Sequence, residues 1–433
     1  MSNPSQWRPT AAHVRALVGG LLLCIVAVLA RRPDLLVLAT PLVGAAVWAT
    51  LLRPTVAPII TQTIAHSTLR EGQATTWRIA CDDPEGRVDD VAAALGDAVW
   101  IDRDPAHGQV ATSLHDDGAG PLEIVVRSTR WGRRRIDPAV VVASSAWGAF
   151  QMPPQADEAL ALLTLPQPAP FDASAPPVRT PGLIGVNRSP RQGSGTEFAG
   201  IRPFQPGDRL RRIHWPRSVR TGQLHVTSTW ADHDRQVLLL IDALDDVGES
   251  GGIDGHASSL DIGVRAAGAI AEHYVAVGDR VGLVALGALG VQRVPAAAGF
   301  RHLRRLLGVM ATIEPAHVRG DDGRLPRGLS AGALVVVLSP LLSAAALRRV
   351  RALAERGMTT VVIDCLPQGI AHQAADDPYV SIAWRIELLR RQRDIRNISQ
   401  AGIPVVPWRG PGSLDVVLRD LHHRSRSGTL ARR

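Results

Sequence analysis

Two long apolar runs stand out in the first 52 residues of the chain. From Ala16–Ala30 and again from Leu35–Leu52 no charged residue occurs, and only the four residues of Arg31–Asp34 separate the two runs. A membrane-spanning helix needs about 20 apolar residues, with about 17 as a lower limit. Because lipid tolerates no unsatisfied backbone group, a short link must turn in the headgroups. The pattern therefore predicts an N-terminal tail over 1–13 and a transmembrane helical hairpin over 14–52, with both ends on one side.

Arginine positions and cysteine usage indicate which side of the membrane holds the rest of the chain. Arginine is enriched on the cytoplasmic side of spanning helices. The arginines flanking the two tails are Arg8, Arg15 and Arg53, against Arg31 and Arg32 in the link. The three cysteines are too far apart for a Cys-x-x-Cys pair, which fits a reducing compartment. We therefore expect a two-pass protein of the inner (plasma) membrane with cytoplasmic soluble domains.

Two alternatives to the hairpin stay open at this point. Arg8 and Arg15 followed by Ala27–Ala30 have the layout of a signal peptide with a small-residue cleavage site. Two buried core helices would also have this composition. A signal peptide followed by the second helix would leave the long C-terminal part on the same, cytoplasmic, face.

Short β-prone runs follow between residues 53 and 150. They are Thr75–Ala80, Gln109–Leu114, Leu122–Arg127 and Val140–Ala143, and turn-forming Asp, Gly and Pro residues separate them. This alternation is typical of a small antiparallel β-sandwich. Residues 151–192 then carry eight prolines between positions 153 and 181. Such a density excludes a long helix or a central strand and predicts an extended linker.

Beyond residue 235, uninterrupted apolar runs alternate with amphipathic segments. The predicted strands are Gln236–Ala243, Val281–Ala285, Ala333–Ser339, Thr359–Asp364 and Ile403–Val406. The predicted helices are Leu260–Val277, Phe300–Thr312, Ala344–Arg356, Trp384–Ala401 and Ser413–His422. Continuous apolar strands separated by helices indicate a mostly parallel sheet covered on both faces. The fold class is therefore α/β, with a doubly wound domain over 236–423 and a basic tail over 424–433.

The segment 193–235, between linker and sheet, carries the most unusual motif of the chain. It resembles the bacterial family called domain of unknown function 58. The positions in register with that family are Glu197, Phe198, Arg202, Gly207, Asp208, Arg211, Ile213, Trp215, Arg220, Gly222, Leu224 and Asp242. The chain departs from the family pattern at Phe204, His214, Pro216 and Trp230.

The resemblance implies an architecture and a partner rather than a reaction. Members of that family look like a membrane hairpin followed by a β domain and a von Willebrand A-like sheet. Their genes are usually described as lying beside genes for MoxR-type AAA+ ATPases. This implies a membrane-anchored scaffold or adaptor that binds a protein, with such an ATPase as the expected partner, in envelope or complex assembly. It implies no cofactor, and it leaves the oligomeric state unknown. The arginines are accompanied by no recognition helix or stacking platform, so we expect no nucleic-acid partner.

Positive charge is concentrated in two regions of this chain, whose formal net charge is +8. Arg179–Arg235 holds ten arginines against four acids, and Arg385–Arg433 holds eleven against four. In one interpretation of the first region, Asp208 accepts hydrogen bonds from backbone amides or from Arg211 or Arg212, and Trp215 packs the motif on the sheet. In another, Arg202, Arg211 and Arg220 present a basic face to an acidic partner, and Asp208 and Trp215 are further candidate partner contacts. Membrane apposition and nucleic acid complete the alternatives.

The sequence predicts neither an enzyme nor a bound metal. The chain contains no lysine, no Gly-x-Ser-x-Gly elbow and no glycine-rich phosphate cradle, which excludes several catalytic classes. The von Willebrand A resemblance implies a Mg²⁺ site of the form Asp-x-Ser-x-Ser, but here Leu244 stands between Asp242 and Asp246, and Pro340 follows Ser339. We therefore expect a degenerate site at Asp242, Asp246 and Ser339. The alternative function is a divalent-metal-dependent adhesion-type receptor.

Overall fold

The computed structural model describes residues 7–114, 120–155, 158–167, 192–205, 208, 210–230, 236–316, 333–368, 370 and 378–408. The chain divides into two compact units, Met1–Thr164 and Leu165–Arg433. The predicted helix Ser413–His422, the basic tail 424–433 and most of the predicted linker lie outside the described residues.

The two apolar runs form a pair of helices, α1 (Ala11–Leu29) and α2 (Asp34–Leu51). Helix α1 begins before the predicted position 14, because the side chain of Thr10 accepts a hydrogen bond from the backbone N–H of His13 at 3.3 Å. The helices pack closely at Gly20, where a Cβ atom would lie only 2.6 Å from Val43 Cγ2. Small residues at such contacts are typical of membrane helices. Both helices are long and apolar enough to cross a membrane.

The rest of the first unit consists of antiparallel strands in three sheets. The strands are β1 (Arg8–Pro9), β2 (Ile59–Ile64), β3 (Thr68–Arg70), β4 (Ala74–Asp82), β5 (Val88–Ala94), β6 (Ile101–Asp104), β7 (Gln109–Ser113), β8 (Leu122–Ser128), β9 (Gly132–Ile136), β10 (Val140–Ser145), β11 (Phe150–Gln151) and β12 (Leu160–Leu165). The sheet orders are β1-β11-β10-β5-β7, β2-β4-β8-β6 and β3-β12-β9. Along a strand every second side chain faces the same side of the sheet. Trp77 of β4, Ile124 of β8 and Val141 of β10 all face inward and are fully buried in one hydrophobic core.

Strand β12 lies inside the segment predicted to be a linker, so the prediction started the linker too early. Leu162 of β12 pairs with Arg134 of β9, and its side chain is fully buried in the core. Prolines flank the apolar run Leu160–Leu165, which contains no proline itself. The high proline content of the whole segment therefore obscured this short strand.

The second unit holds a two-stranded and a six-stranded sheet. Its strands are β13 (Gln192–Pro203), β14 (His225–Trp230), β15 (Gln236–Asp242), β16 (Arg280–Gly287), β17 (Gly290–Ala297), β18 (Leu334–Ser339), β19 (Thr359–Asp364) and β20 (Val405–Pro407). Its helices are α3 (Trp215–Thr221), α4 (Ser259–Ala276), α5 (Phe300–Met310), α6 (Ala344–Glu355) and α7 (Pro378–Gln400).

The six-stranded sheet has the order β17-β16-β15-β18-β19-β20. All neighbours are parallel except β16 and β17, which are antiparallel. The mixed α/β class is confirmed. The five strands predicted for this sheet are present, and their ends differ from the predicted ones by at most a few residues. Strand β17 was not predicted, because Arg293 and Pro295 interrupt its apolar pattern, as is usual for an edge strand. The strand order reverses between β15 and β18, and such a point is where open α/β sheets place their binding crevice.

Candidate functional site

The family motif folds as a hairpin with a helix in its loop. Strands β13 and β14 are antiparallel, and Arg202 lies opposite Val226 in their register. The residues between them include a 3₁₀ turn, Leu210–Arg212, and helix α3. Glu197 and Phe198 lie on β13 and Arg211 lies in the 3₁₀ turn, whereas Gly207 is outside the described residues.

Arg202 and Asp208 close the loop of this hairpin with a two-armed ion pair. Arg202 Nη1 donates to Asp208 Oδ2 at 2.8 Å and Nη2 donates to Oδ1 at 2.6 Å. The backbone N–H of Gln205 donates to the same carboxylate at 2.9 Å. The Arg202 guanidinium therefore holds the pKa of Asp208 below its ordinary value. Asp208 thus has the structural role that the sequence left open, with Arg202 as a donor to it.

Short hydrogen bonds to the backbone hold helix α3 against strand β14. The N–H of His225 donates to Ser218 Oγ at 2.9 Å, and Ser218 Oγ donates to the carbonyl oxygen of His214 at 3.0 Å. Gly222 ends the helix at φ +70°, a left-handed conformation that favours glycine. Ile213 forms a bridge with Val226, and the carbonyl oxygen of Leu224 accepts from the N–H of Phe204 at 2.8 Å. The motif positions Ile213, Gly222 and Leu224 are therefore structural.

Helix α3 presents an apolar pair to solvent. Trp215 is 61% exposed and Val219 is 80% exposed, and a spacing of four residues places both on one side of a helix. Arg217 and Arg220 are exposed on the same short helix. The interpretation in which Trp215 packs the motif on the sheet is therefore wrong, and its role as a candidate partner contact stays a prediction. We call Trp215, Arg217, Val219 and Arg220 the α3 surface.

A second group of polar residues lies where the order of the six strands reverses. Asp242 ends β15 and Ser339 ends β18, and Ser339 Oγ donates to Asp242 Oδ2 at 2.6 Å. The N–H of Leu244 donates to Asp242 Oδ1 at 3.2 Å, and the N–H of Leu341 donates to Ser339 Oγ at 2.9 Å. Burial raises the pKa of the Asp242 carboxyl. The two residues therefore satisfy each other inside the protein.

Asp246 does not join this pair, because it serves the start of helix α4. Its Oδ1 accepts from the N–H of Leu260 at 3.0 Å, and its Oδ2 accepts from Ser258 Oγ at 3.1 Å. A divalent cation prefers several oxygens in a near-octahedral arrangement, and Asp242, Leu244 and Asp246 do not supply them. Within the described ranges no group of three or more His, Cys, Asp or Glu side chains could hold a metal ion. The donor set does not fit the ion that the resemblance implies.

Arg391 fixes helix α7 at the same edge of the sheet. Its Nε donates to the carbonyl oxygen of Pro340 at 2.7 Å, and its guanidinium forms an ion pair with Asp364 at the end of β19. Sequence reasoning missed this contact. The only signals were an arginine within an amphipathic helix and an aspartate closing a buried strand.

These features define a mixed α/β protein with two apolar N-terminal helices and a structured hairpin before its main sheet. Residues 200–368 match the family described as protein of unknown function DUF58. This match confirms the resemblance seen in the motif over these residues.

Relatives of this chain include mycobacterial proteins that are described as uncharacterized. Uncharacterized proteins of Mycobacterium bovis and Mycobacterium tuberculosis are 35% identical over 134 residues, which is 30% of this chain. The chain spans 40% of the length of these relatives. Among solved structures, a cohesin module from a Clostridium perfringens family 33 glycoside hydrolase is 9% identical, with a TM-score of 0.19 over 26% of this chain and 100% of the module. The Escherichia coli adhesin FdeC is 15% identical, with a TM-score of 0.17 over 42% of this chain and 59% of the adhesin chain. Neither likeness bears on fold or function.

Proposed function

We propose that this protein is a membrane-anchored scaffold that binds another protein through the α3 surface. The observation that carries the proposal is the exposed pair Trp215 and Val219 with Arg217 and Arg220 beside it. Tryptophan and arginine are the residues most enriched among those that dominate binding energy. Leaving a large apolar side chain in water is unfavourable, and a partner that covers the pair removes this cost.

The chemistry of the α3 surface favours an acidic partner with an apolar pocket. Arginines at the edge of an interface raise the association rate with an acidic surface, and the buried aromatic centre lowers the dissociation rate. The family resemblance implies a MoxR-type AAA+ ATPase as that partner, acting in envelope or complex assembly. Arg202 and Arg211, which the sequence placed in the same face, stay predictions as partner contacts.

Anchoring and fold belong to the same proposal. Helices α1 and α2 would cross the plasma membrane as a hairpin, with the soluble units in the cytoplasm. We further propose that the first unit is a β-sandwich and that the six-stranded sheet is von Willebrand A-like. The order of its strands, with β17 as an antiparallel edge, supports the second assignment. The adhesion-type alternative lacks support, because the residues at Asp242 do not form a cation site.

Recovery of the ATPase with the anchored protein tests this proposal. We expect Trp215→Ala to reduce recovery of the ATPase from native membranes. Losing roughly 2 kcal/mol at an interface centre raises the Kd about thirtyfold. Arg217→Glu with Arg220→Glu should reduce this recovery most at low salt. Val291→Ala is the matched control, because Val291 is 60% exposed on β17 and lies outside the α3 surface. Equal recovery from the Trp215 variant and the control would reject the α3 surface as the docking site.

A further inference from the structure

Helix α7 has an apolar face on its outer side as well as on its packed side. Ile398 and Arg391 are buried on the side that meets the sheet. On the other side Tyr379, Ile382, Ile386 and Leu389 follow one another at intervals of three and four residues and are between 45% and 82% exposed. Such intervals keep residues on one stripe of a helix. We call these four side chains the α7 ridge.

Arginines border the α7 ridge and dominate the charge of the helix. The exposed arginines are Arg385, Arg390, Arg393 and Arg396. Two acids lie on the same helix: Glu387 Oε2 is 3.5 Å from Arg390 Nη1, and Asp394 Oδ1 is 3.9 Å from Arg393 Nε. Within the described ranges, Arg385 and Arg396 form no ion pair. An apolar stripe bordered by arginine is the pattern of a helix that lies in the surface of an anionic membrane.

We propose that the α7 ridge lies in the headgroup region of an anionic membrane surface. Rows of arginine would repel one another across a two-fold contact between two copies of this helix. The ridge spans eleven residues, hence about 15 Å, and the area of a strip of this length on one helix is far smaller than the roughly 800 Å² per partner of a stable protein interface. A lipid surface requires no matching shape and supplies the negative charge.

The inference rests on the proposed membrane anchoring for its location and on the α7 ridge for its chemistry. A hairpin with both ends on one side keeps the soluble part near one leaflet, so anionic lipid is present at high local concentration. The α3 surface is not involved. Loss of ATPase binding would therefore leave this inference intact, and failure of lipid contact would leave the docking proposal intact.

Photo-cross-linking from the ridge in a lipid bilayer tests the inference. The full chain is placed in nanodiscs of phosphatidylcholine alone or with phosphatidylglycerol, and Ile386 is replaced by a benzophenone amino acid. The same replacement at Val291, which is exposed on β17, is the control. We expect lipid adducts at position 386 that increase severalfold in the anionic nanodiscs, with none above background at the control position.

Charge reversal provides the second arm of the test. Arg385→Glu with Arg396→Glu should abolish the severalfold increase that phosphatidylglycerol produces, because the attraction of two arginines to an anionic surface is lost. Unchanged hydrogen exchange in the six-stranded sheet would show that this variant still folds, and Arg385→Gln with Arg396→Gln replaces it if exchange increases. Adducts to a second copy or to another protein would overturn the inference, as would a yield at position 386 equal to the control or unaffected by both charge changes.

Discussion

Replacement of Arg391 by alanine should release helix α7 from the edge of the main sheet. The guanidinium spans three elements, because it lies on α7, pairs with Asp364 at the end of β19 and donates to Pro340 after β18. The side chains of Arg391 and Asp364 are only 8% and 16% exposed. Water can therefore replace little of the ion pair and the hydrogen bond that the substitution removes.

The expected loss of stability is about 3 kcal/mol. Removing one partner of a buried ion pair costs roughly 3–5 kcal/mol, because the other charge stays buried. The charged hydrogen bond to Pro340 is worth roughly 1.5–3 kcal/mol, but it is lost with the same group and is not added in full. Asp364 keeps the N–H of Leu366 as a donor at 3.0 Å, which favours the lower end of the range.

Hydrogen exchange measured by mass spectrometry gives the local free energy of opening. In the Arg391→Ala chain, peptides from α7, β18 and β19 should exchange about 150-fold faster, which is 3 kcal/mol at 1.36 kcal/mol per factor of ten. Arg393→Ala is the control, because its side chain is 68% exposed and lies 3.9 Å from Asp394. An exposed pair of this kind contributes less than about 1 kcal/mol. Equal exchange in the two variants would refute the assigned role of Arg391.

Two further predictions follow from buried titratable groups. Because burial raises the pKa of Asp242 above its ordinary value of 3.8, the folded state retains a proton that the unfolded chain releases, and stability falls as pH rises from about 4 toward the raised pKa. Asp242→Asn should flatten this part of the profile of unfolding against pH, and coincident profiles would contradict the assignment. Burial also raises the pKa of the Cys81 thiol to about 11 and that of Cys365 well above its ordinary value. At pH 8 iodoacetamide should label both thiols far more slowly in the native chain than in urea, and native labelling of Cys365 at the unfolded rate would disprove its burial.

The inner strands of the main sheet were predictable because they are buried on both faces. Val237–Ile241 and Leu334–Leu338 are unbroken apolar runs, and strands of a parallel sheet that is covered on both faces have this pattern. An edge strand lacks this signal. Strand β17 contains Arg293 and Pro295, whose polarity and missing N–H are tolerated only because one side of the strand has no partner.

Contacts in the candidate sites depend on the path of the chain, so composition could not reveal them. Arg202 and Asp208 meet because the loop after β13 turns back within six residues. Arg391 reaches Pro340 across 51 residues, which requires the order of β18, β19 and α7 to be known. Trp215 could either pack the motif on the sheet or face a partner, and the spacing of the motif residues alone does not decide between the two. Helix α3 has only seven residues, and Ser218 is on its buried side. Trp215, on another side of this short helix, stays exposed.

Under the proposed docking mode, the Arg202–Asp208 pair leaves Arg202 less able than the exposed arginines of α3 to attract a partner. A guanidinium held by both carboxylate oxygens contributes little net charge beyond its immediate surroundings. The exposed Arg217 and Arg220 on α3 then supply the positive charge of this face. Because those two arginines lie on the helix that exposes Trp215, attraction at long range and apolar contact at short range come from the same element. The internal pair and the α3 surface thus divide the motif into a part that maintains the loop and a part that is available for binding.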